Sequence, residues 1–282
     1  MKLILLLISL SAYIYAQTIH SSISTYYENK TFSSSVQKED GVVYGIGADV
    51  HYKNSEFKAT YEYGDTNTKQ PPLQEDLKMH KLFLRYAYLF NDSFKINVNY
   101  IDVLSDNIAI TDGGKTYALG ATYTLDKKIC FNFTQFYTDY EDFNVYQSDL
   151  NLDFKTKINK LKIKLSSKTK YIKIDEENIN GFTKNAEDSY LTSGFRLHLH
   201  QASYHFGLGA YFGKRAFAIM DDGFKSQHHA MEFDRTYAIG FGKNISNFVL
   251  RIQYVYQRAT ELPASNEGVE VSNTRVIANY KF

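Results

Sequence analysis

Apolar and polar positions alternate with a period of two along nearly the whole chain. In residues 42–53, Val42, Tyr44, Ile46, Ala48, Val50 and Tyr52 fall on one face, and Val43, Gly45, Gly47, Asp49 and His51 on the other. In 115–125, Tyr117, Leu119, Ala121, Tyr123 and Leu125 oppose Ala118, Gly120, Thr122 and Thr124. In 247–259, Phe248, Leu250, Ile252, Tyr254 and Tyr256 oppose Arg251, Gln253 and Gln257. Such a period belongs to a strand whose two sides meet different surroundings. Strands are predicted at 18–27, 42–53, 56–63, 77–90, 94–104, 115–125, 129–140, 146–158, 161–174, 189–199, 203–217, 229–241, 247–259 and 270–282, fourteen in all. Twelve result if the weak eighth and ninth are misread, and sixteen require further strands within the loops.

The connections alternate too. Short ones rich in turn formers fall at 54–55, 91–93, 126–128, 159–160, 200–202 and 243–246. Longer polar ones fall at 28–41, 64–76, 105–114, 175–188, 220–228 and 261–269, with 141–145 the shortest of that set. Pro71, Pro72 and Pro263, the three prolines, all lie in these expected loops, where no ladder hydrogen bond is lost.

Residues 1–16 read as an export signal: Lys2, an apolar run over 3–10, then Ala16 as a small residue at a cleavage site. The run is too short for a spanning helix, which needs about 20 residues. The domain expectation is therefore a signal peptide at 1–16 and one β domain at 17–282, with no Cys placed for a lipid anchor. No later apolar run escapes interruption by charged or polar residues. The remaining structure able to cross a bilayer is a closed barrel, in which every backbone group is paired internally. The 24 Tyr and 20 Phe suit lipid-facing and interfacial positions, and with no Trp they must form the girdles alone. A water-soluble β-sandwich also alternates, but with shorter strands and without regular short-turn, long-loop succession. The predicted fold class is all-β: a transmembrane, antiparallel, up-and-down β-barrel of fourteen strands, its apolar face in lipid and its polar face inside.

That placement gives a charged lumen. The basic candidates are Lys58, Lys81, Arg85, Lys95, Lys155, Lys162, Lys164, Arg196, Arg251, Arg275 and Lys281; the acidic ones are Asp49, Glu56, Glu62, Asp149, Asp153 and Asp234. The pore-lining set singled out is Asp49, Lys81, Arg85, Lys95, Asp149, Asp153, Lys155, Lys162, Lys164, Arg196, His198, Asp234, Arg251 and Arg275. The basic surplus predicts mild anion preference, while pairing of opposite charges across the interior is the structural alternative. Small inward residues such as Gly45, Gly47, Gly120, Gly194 and Gly207 leave space or permit curvature. By length and stiffness, 64–76 with Pro71-Pro72 is the expected inward-folding loop. His228-His229, near Asp221 and Asp222, reads as a solvated loop, because adjacent residues on an extended chain point apart. His205, beside His198, reads as polar lining, and Cys130, the single cysteine, as a wall residue. A net charge of +1 gives no support to nucleic-acid binding. No G-x-S-x-G, H-E-x-x-H or phosphate-binding glycine loop is present, and no cofactor, metal or enzymatic activity is expected.

The signal at 1–16, the repeated amphipathic strands and the terminal strand 276–282 ending in Phe282 together resemble Gram-negative outer-membrane β-barrels, and among them small porins or porin-like channels. The resemblance covers about 17–282. It implies location in the outer membrane after signal cleavage, contact with outer-membrane lipid and lipopolysaccharide, and insertion by the barrel-assembly machinery. It further implies passive passage of ions and small hydrophilic solutes without a cofactor. The chain looks closer to small monomeric pores than to the longer sixteen-stranded trimeric porins. It lacks the early plug-like region of long-chain fatty-acid transporters, which argues against hydrophobic substrates. The alternative is a structural, adhesive or receptor barrel that binds through its external loops.

Overall fold

The computed structural model describes residues 19–105, 110–176 and 185–282. The expected signal segment 1–16 lies outside them, as do parts of the connections expected at 105–114 and 175–188. Fourteen strands close into one antiparallel barrel. In chain order they are β1 (Ile19–Ser33), β2 (Lys38–Tyr52), β3 (Ser55–Thr68), β4 (Leu77–Asn91), β5 (Phe94–Ser105), β6 (Lys115–Leu125), β7 (Ile129–Asp139), β8 (Phe143–Ile158), β9 (Leu161–Glu176), β10 (Ser189–Gln201), β11 (Tyr204–Arg215), β14 (Met231–Ile245), β15 (Phe248–Glu261) and β16 (Asn266–Lys281). Two more, β12 (Ile219–Met220) and β13 (Lys225–Ser226), form a separate small hairpin.

Each barrel strand pairs with its sequence neighbours, and β1 closes the ring on β16 with Ser22 opposite Lys281 and Ser33 opposite Glu270. Every predicted barrel strand exists, and several run farther than the alternation implies. Residues 28–33 continue β1, so its turn to β2 shrinks to 34–37 rather than 28–41. The polar run Glu28-Asn29-Lys30-Thr31 has the composition of a loop, but its backbone is fully laddered and its inward side chains are luminal.

The short turns are built as expected. Lys53, Asp126, Lys127, Asn159, Ala202 and Ser246 take left-handed φ between 50 and 59°, the backbone that two-residue hairpins require. Short turns gather at one end of the barrel and longer connections at the other; by the rule for outer-membrane barrels the short-turn end would be the periplasmic one and the other the external one.

Large apolar side chains stand exposed on the outward face of every barrel strand, from Ile23 and Tyr27 on β1 to Val276 on β16. Neighbouring strands align Tyr27 with Tyr44, and Tyr117 with Tyr100 and with Tyr137. Toward the periplasmic end, Phe248 packs on Tyr280 and Tyr280 on Phe282, with centroids 4.8 and 5.0 Å apart. An apolar surface of this extent is incompatible with a water-exposed barrel. With aromatic pairs toward both ends, it is the lipid-facing wall of an outer-membrane barrel.

Candidate functional site

The segment 216–230, between β11 and β14, turns inward and crosses the bore. β12 and β13 pair Ile219 with Ser226 and Met220 with Lys225, and a single 3-10 turn at Asp221–Gly223 joins them. Its far side meets β4, which lies seven strands from β11 whichever way the ring is followed. Ile219 packs with Met79, Phe83, Ile101, Val103, Ala118 and Phe136 from β4–β7, and Phe224 lies 6.3 Å from Phe83. Ala216, Phe217, Ala218 and Met220 join Tyr140, Phe143, Val145, Ile172, Ile174, Tyr190 and Tyr211. Full burial of side chains of this size stabilises by about 1.5–3 kcal/mol each.

The wall also holds the hairpin by polar contacts. The Gln147 side chain acts like one residue of a strand: its Nε2 donates to Ile219 O at 2.8 Å, and its Oε1 accepts from Ile219 N at 2.8 Å. Lys170 Nζ donates to the same carbonyl at 2.7 Å and pairs with Asp149, all within a fully buried cluster. Arg196 pairs with Asp221 at 2.6 Å, Lys168 with Asp222 at 2.5 Å and Lys225 with Glu28 at 3.7 Å. The Thr111 hydroxyl donates to His228 O at 3.1 Å. The turn demands glycine at 223: its φ is 94°, and a Cβ there would lie 2.8 Å from the Asn99 amide nitrogen.

Charge and burial on this hairpin set its titration. Enclosure alone would raise the Asp222 carboxyl, but Lys168 overrides it and holds it at about 2. Asp221 is likewise depressed, with Arg196 and Lys225 outweighing burial. Burial and nearby lysines, Lys81 and Lys30 for both rings and Lys38 for His229, push His228 and His229 well below the ordinary 6.5.

Two cavities flank the hairpin, and Arg196, His198 and Tyr211 border both. The first, of about 460 Å³, opens among the periplasmic halves of β2–β10 and is bordered by Arg85, Lys95, Asp153, Lys155 and Lys164. Here Lys95 pairs with Glu56 at 3.6 Å and Lys164 with Asp153 at 2.9 Å. The second, of about 370 Å³, runs beside β10–β16 and β1, and Arg251 and Arg275 border it. Arg275 pairs with Glu28 at 2.5 Å. Among the described residues, Arg85, Lys155 and Arg251 make no ion pair.

Other predicted residues lie elsewhere. Lys81 is buried against Glu62 at 3.3 Å, and Asp149 is buried under the hairpin, so neither borders a cavity. Asp49 sits 2.8 Å from His51. Lys162 is exposed near the periplasmic rim and borders neither cavity. Asp234 falls in the irregularity between Phe233 and Arg235, which takes it out of the alternation, and pairs with Arg235 at 3.4 Å. The charged lining is therefore partly open surface and partly the structural pairing that was its alternative.

Three expectations are corrected. The inward-folding loop is 216–230, whereas Lys69, Gln70, Pro71 and Pro72 are exposed at the external rim. His228 is buried rather than solvated, at 8% exposure. The inner face is not uniformly polar: Phe83, Ile101, Phe136 and Ile172 are luminal because they receive the apolar side of the hairpin. Two inward glycines are also not empty space. A Cβ at Gly45 would lie 2.1 Å from the Tyr26 ring, and one at Gly194 2.3 Å from the Tyr211 ring.

Glu28, Lys30, Gln147, Lys168, Lys170 and Arg215 escaped the sequence reading as luminal groups. Glu28 and Lys30 continue the period of β1, and Lys168 and Lys170 share a face with Lys164, so alternation held a signal for these four. Ala216-Phe217-Ala218-Ile219-Met220, an apolar run in an otherwise polar connection, was the signal for the hairpin.

No family model and no curated protein matches the chain. Among solved structures it is similar to the Ralstonia pickettii toluene transporter TbuX, with 10% identity, 95% of this chain and 90% of that one covered, and a TM-score of 0.56. It is also similar to a structure described as a bacterial polysaccharide outer membrane secretin, with 8% identity, 92% and 98% covered, and a TM-score of 0.57. Pseudomonas aeruginosa OpdK with vanillate aligns at 10% identity over 94% and 98%, with a TM-score of 0.44. At these identities, what the chain shares with the first two is the fold, a closed β-barrel.

Proposed function

We propose that this barrel is a passive outer-membrane channel for ions and small hydrophilic solutes, mildly anion-preferring and narrowed by the hairpin 216–230. The observation that carries the reading is the surplus of unpaired luminal cations, Arg85 and Lys155 on the first cavity and Arg251 on the second. A wall of that sign favours anions in a narrow bore. In this reading the outer belt meets lipid and lipopolysaccharide, and β16 is the segment offered to the barrel-assembly machinery. Reversal potentials of the refolded chain in a planar bilayer test it. Anion preference is expected, reduced in an Arg85→Gln, Lys155→Gln, Arg251→Gln variant; clear cation preference overturns the selectivity.

A second reading, a receptor or adhesive barrel, draws on the hairpin itself, because a crossed bore suits a protein that need not conduct. A folded barrel without conductance would favour it.

A further inference from the structure

Arg215 ends β11 where the hairpin begins, and it is fully buried. Its Nη2 donates to the Thr236 hydroxyl, but Nε and Nη1 have no partner. The rings of Tyr211 and Phe233 lie 5.9 and 5.4 Å from the guanidinium. Asp234 is a nearby acid whose charge favours the guanidinium, but its Oδ2 pairs with Arg235 at 3.4 Å, and among the described residues no carboxylate lies within ion-pair distance of Arg215. A buried cation with no carboxylate in contact is unfavourable, so the guanidinium keeps two free donors and the capacity for a further anion. Arg215 borders the second cavity, of about 370 Å³, within the usual size range of small-ligand pockets. Its neighbours there include His229, whose ring nitrogens are both unpartnered, and Phe32, whose ring meets His229 edge-on at 5.8 Å. Arg251, also without an ion pair, borders the same cavity from the periplasmic half of β15.

We propose that this cavity is a binding station for a small organic anion, a monocarboxylate with a short apolar body, whose carboxylate pairs with Arg215 and passes toward Arg251. One unpaired guanidinium calls for one negative charge, and a carboxylate accepts hydrogen bonds from guanidinium nitrogens. Tyr211, Phe233 and Phe32 supply an apolar surround suited to a hydrocarbon body and unsuited to a strongly hydrated inorganic ion. The passage toward Arg251 rests on the channel reading; binding at Arg215 does not.

The test is equilibrium dialysis of hexanoate and of hexanol against the refolded chain in lipid nanodiscs, with bilayer conductance measured in parallel. Saturable hexanoate binding is expected, with hexanol at least tenfold weaker and hexanoate at least tenfold weaker in Arg215→Met. Because Met removes an unpaired charge while keeping bulk, the variant barrel should resist heat at least as well as the parent without ligand; a purely structural arginine would leave it weaker. Equal binding of hexanol and hexanoate, unchanged binding in Arg215→Met, or no saturable binding overturns the proposal. Should the Arg215→Met chain not fold, the hexanol comparison decides. Binding without conductance would remove the channel reading and keep the site, and conductance without binding would do the reverse.

Discussion

The connections 69–76 and 216–230 both leave the barrel at its external end, yet one stays on the rim and the other crosses the bore. Proline stiffness favours the first as an inner loop, although β3 and β4 run into the span expected for it and leave a connection shorter than 216–230. It fails because it brings little to bury and satisfies itself outside. Thr68 N donates to Asp76 Oδ1 at 2.9 Å and the Thr68 hydroxyl to Glu75 O at 2.9 Å. Lys69 N donates to Gln37 O at 2.9 Å and Lys69 Nζ to Ser35 O at 2.7 Å, which ties this loop to the neighbouring turn. The segment 216–230 instead carries apolar residues on its wall-facing side and carboxylates at its turn, and the wall answers both. Phe83, Ile101 and Phe136 receive Ile219, while Arg196 and Lys168 receive Asp221 and Asp222. A loop enters a barrel when its sequence complements the wall, because a buried polar backbone without partners costs about as much as its apolar contacts return.

Removing the hairpin breaks this contrast most severely. Gln227 N donates to Ala218 O at 2.9 Å, so the two ends of 219–226 already adjoin and a Gly-Asn turn replaces the piece without moving β11 or β14. Single-channel conductance should rise several-fold, and an unchanged value would mean that the hairpin does not limit the path. Lys170→Met acts more locally. It removes the charge partner of Asp149, leaving that carboxylate only the Gln147 amide, and removes one donor from Ile219 O. Breaking a buried pair in this way costs about 3–5 kcal/mol, drawn mainly from hairpin docking, since the barrel ladder is untouched. Hydrogen exchange at 219–226 should accelerate by roughly a hundredfold or more, while the barrel strands keep their protection.

The barrel itself was legible because the period of two reports the backbone and a two-sided environment together. Val42–Tyr52 and Tyr117–Leu125 have one dominant cause, lipid against lumen, and their inward sets are the ones observed. The hairpin and its receptor were harder to read because they depend on contacts between distant segments. Phe83 and Phe136 stand on inward positions where a wet lumen would place polar groups, and Ile219 and Phe224, far along the chain, explain them. Glu28 and Lys30 were obscured by composition: polar residues at the external end of a strand look like loop. For Gln147 alternation with Asp149 marks an inward face, but nothing local marks its partner, the backbone of residue 219.

Acidification probes the same docking with a smaller effect. His228 and His229 lie outside the spanning strands, and burial depresses both imidazoles. A base whose docked pKa lies below its free value stabilises docking fully above about 6.5, and the contribution fades as pH falls below that. The ceiling is about 1.4 kcal/mol per pH unit for each histidine. Asp222, held at about 2, stays ionised through this window and does not oppose the change. Hairpin protection factors, which are referred to the intrinsic exchange rate at each pH, should therefore fall from pH 7.5 to 5, and a His228→Gln, His229→Gln variant should flatten the response. An equal response in that variant would assign it to other groups.

The smallest effect is expected on the rim. Replacing Gln70, Pro71, Pro72 and Gln74 with serine removes stiffness but no hydrogen bond that ties 68–76 to the turn at 34–37. Exposed positions of this kind usually change stability by no more than about 0.5 kcal/mol, so conductance and unfolding midpoint should both stay at their parent values. The same four substitutions also remove the features that marked this loop for the bore. If they altered conductance as much as excision of 219–226, the rim loop would be gating the mouth from outside, and complementarity to the inner wall would not be what separates the two segments. If nothing changes, the contrast stands on the residues that face the wall: one connection has them, and the other does not.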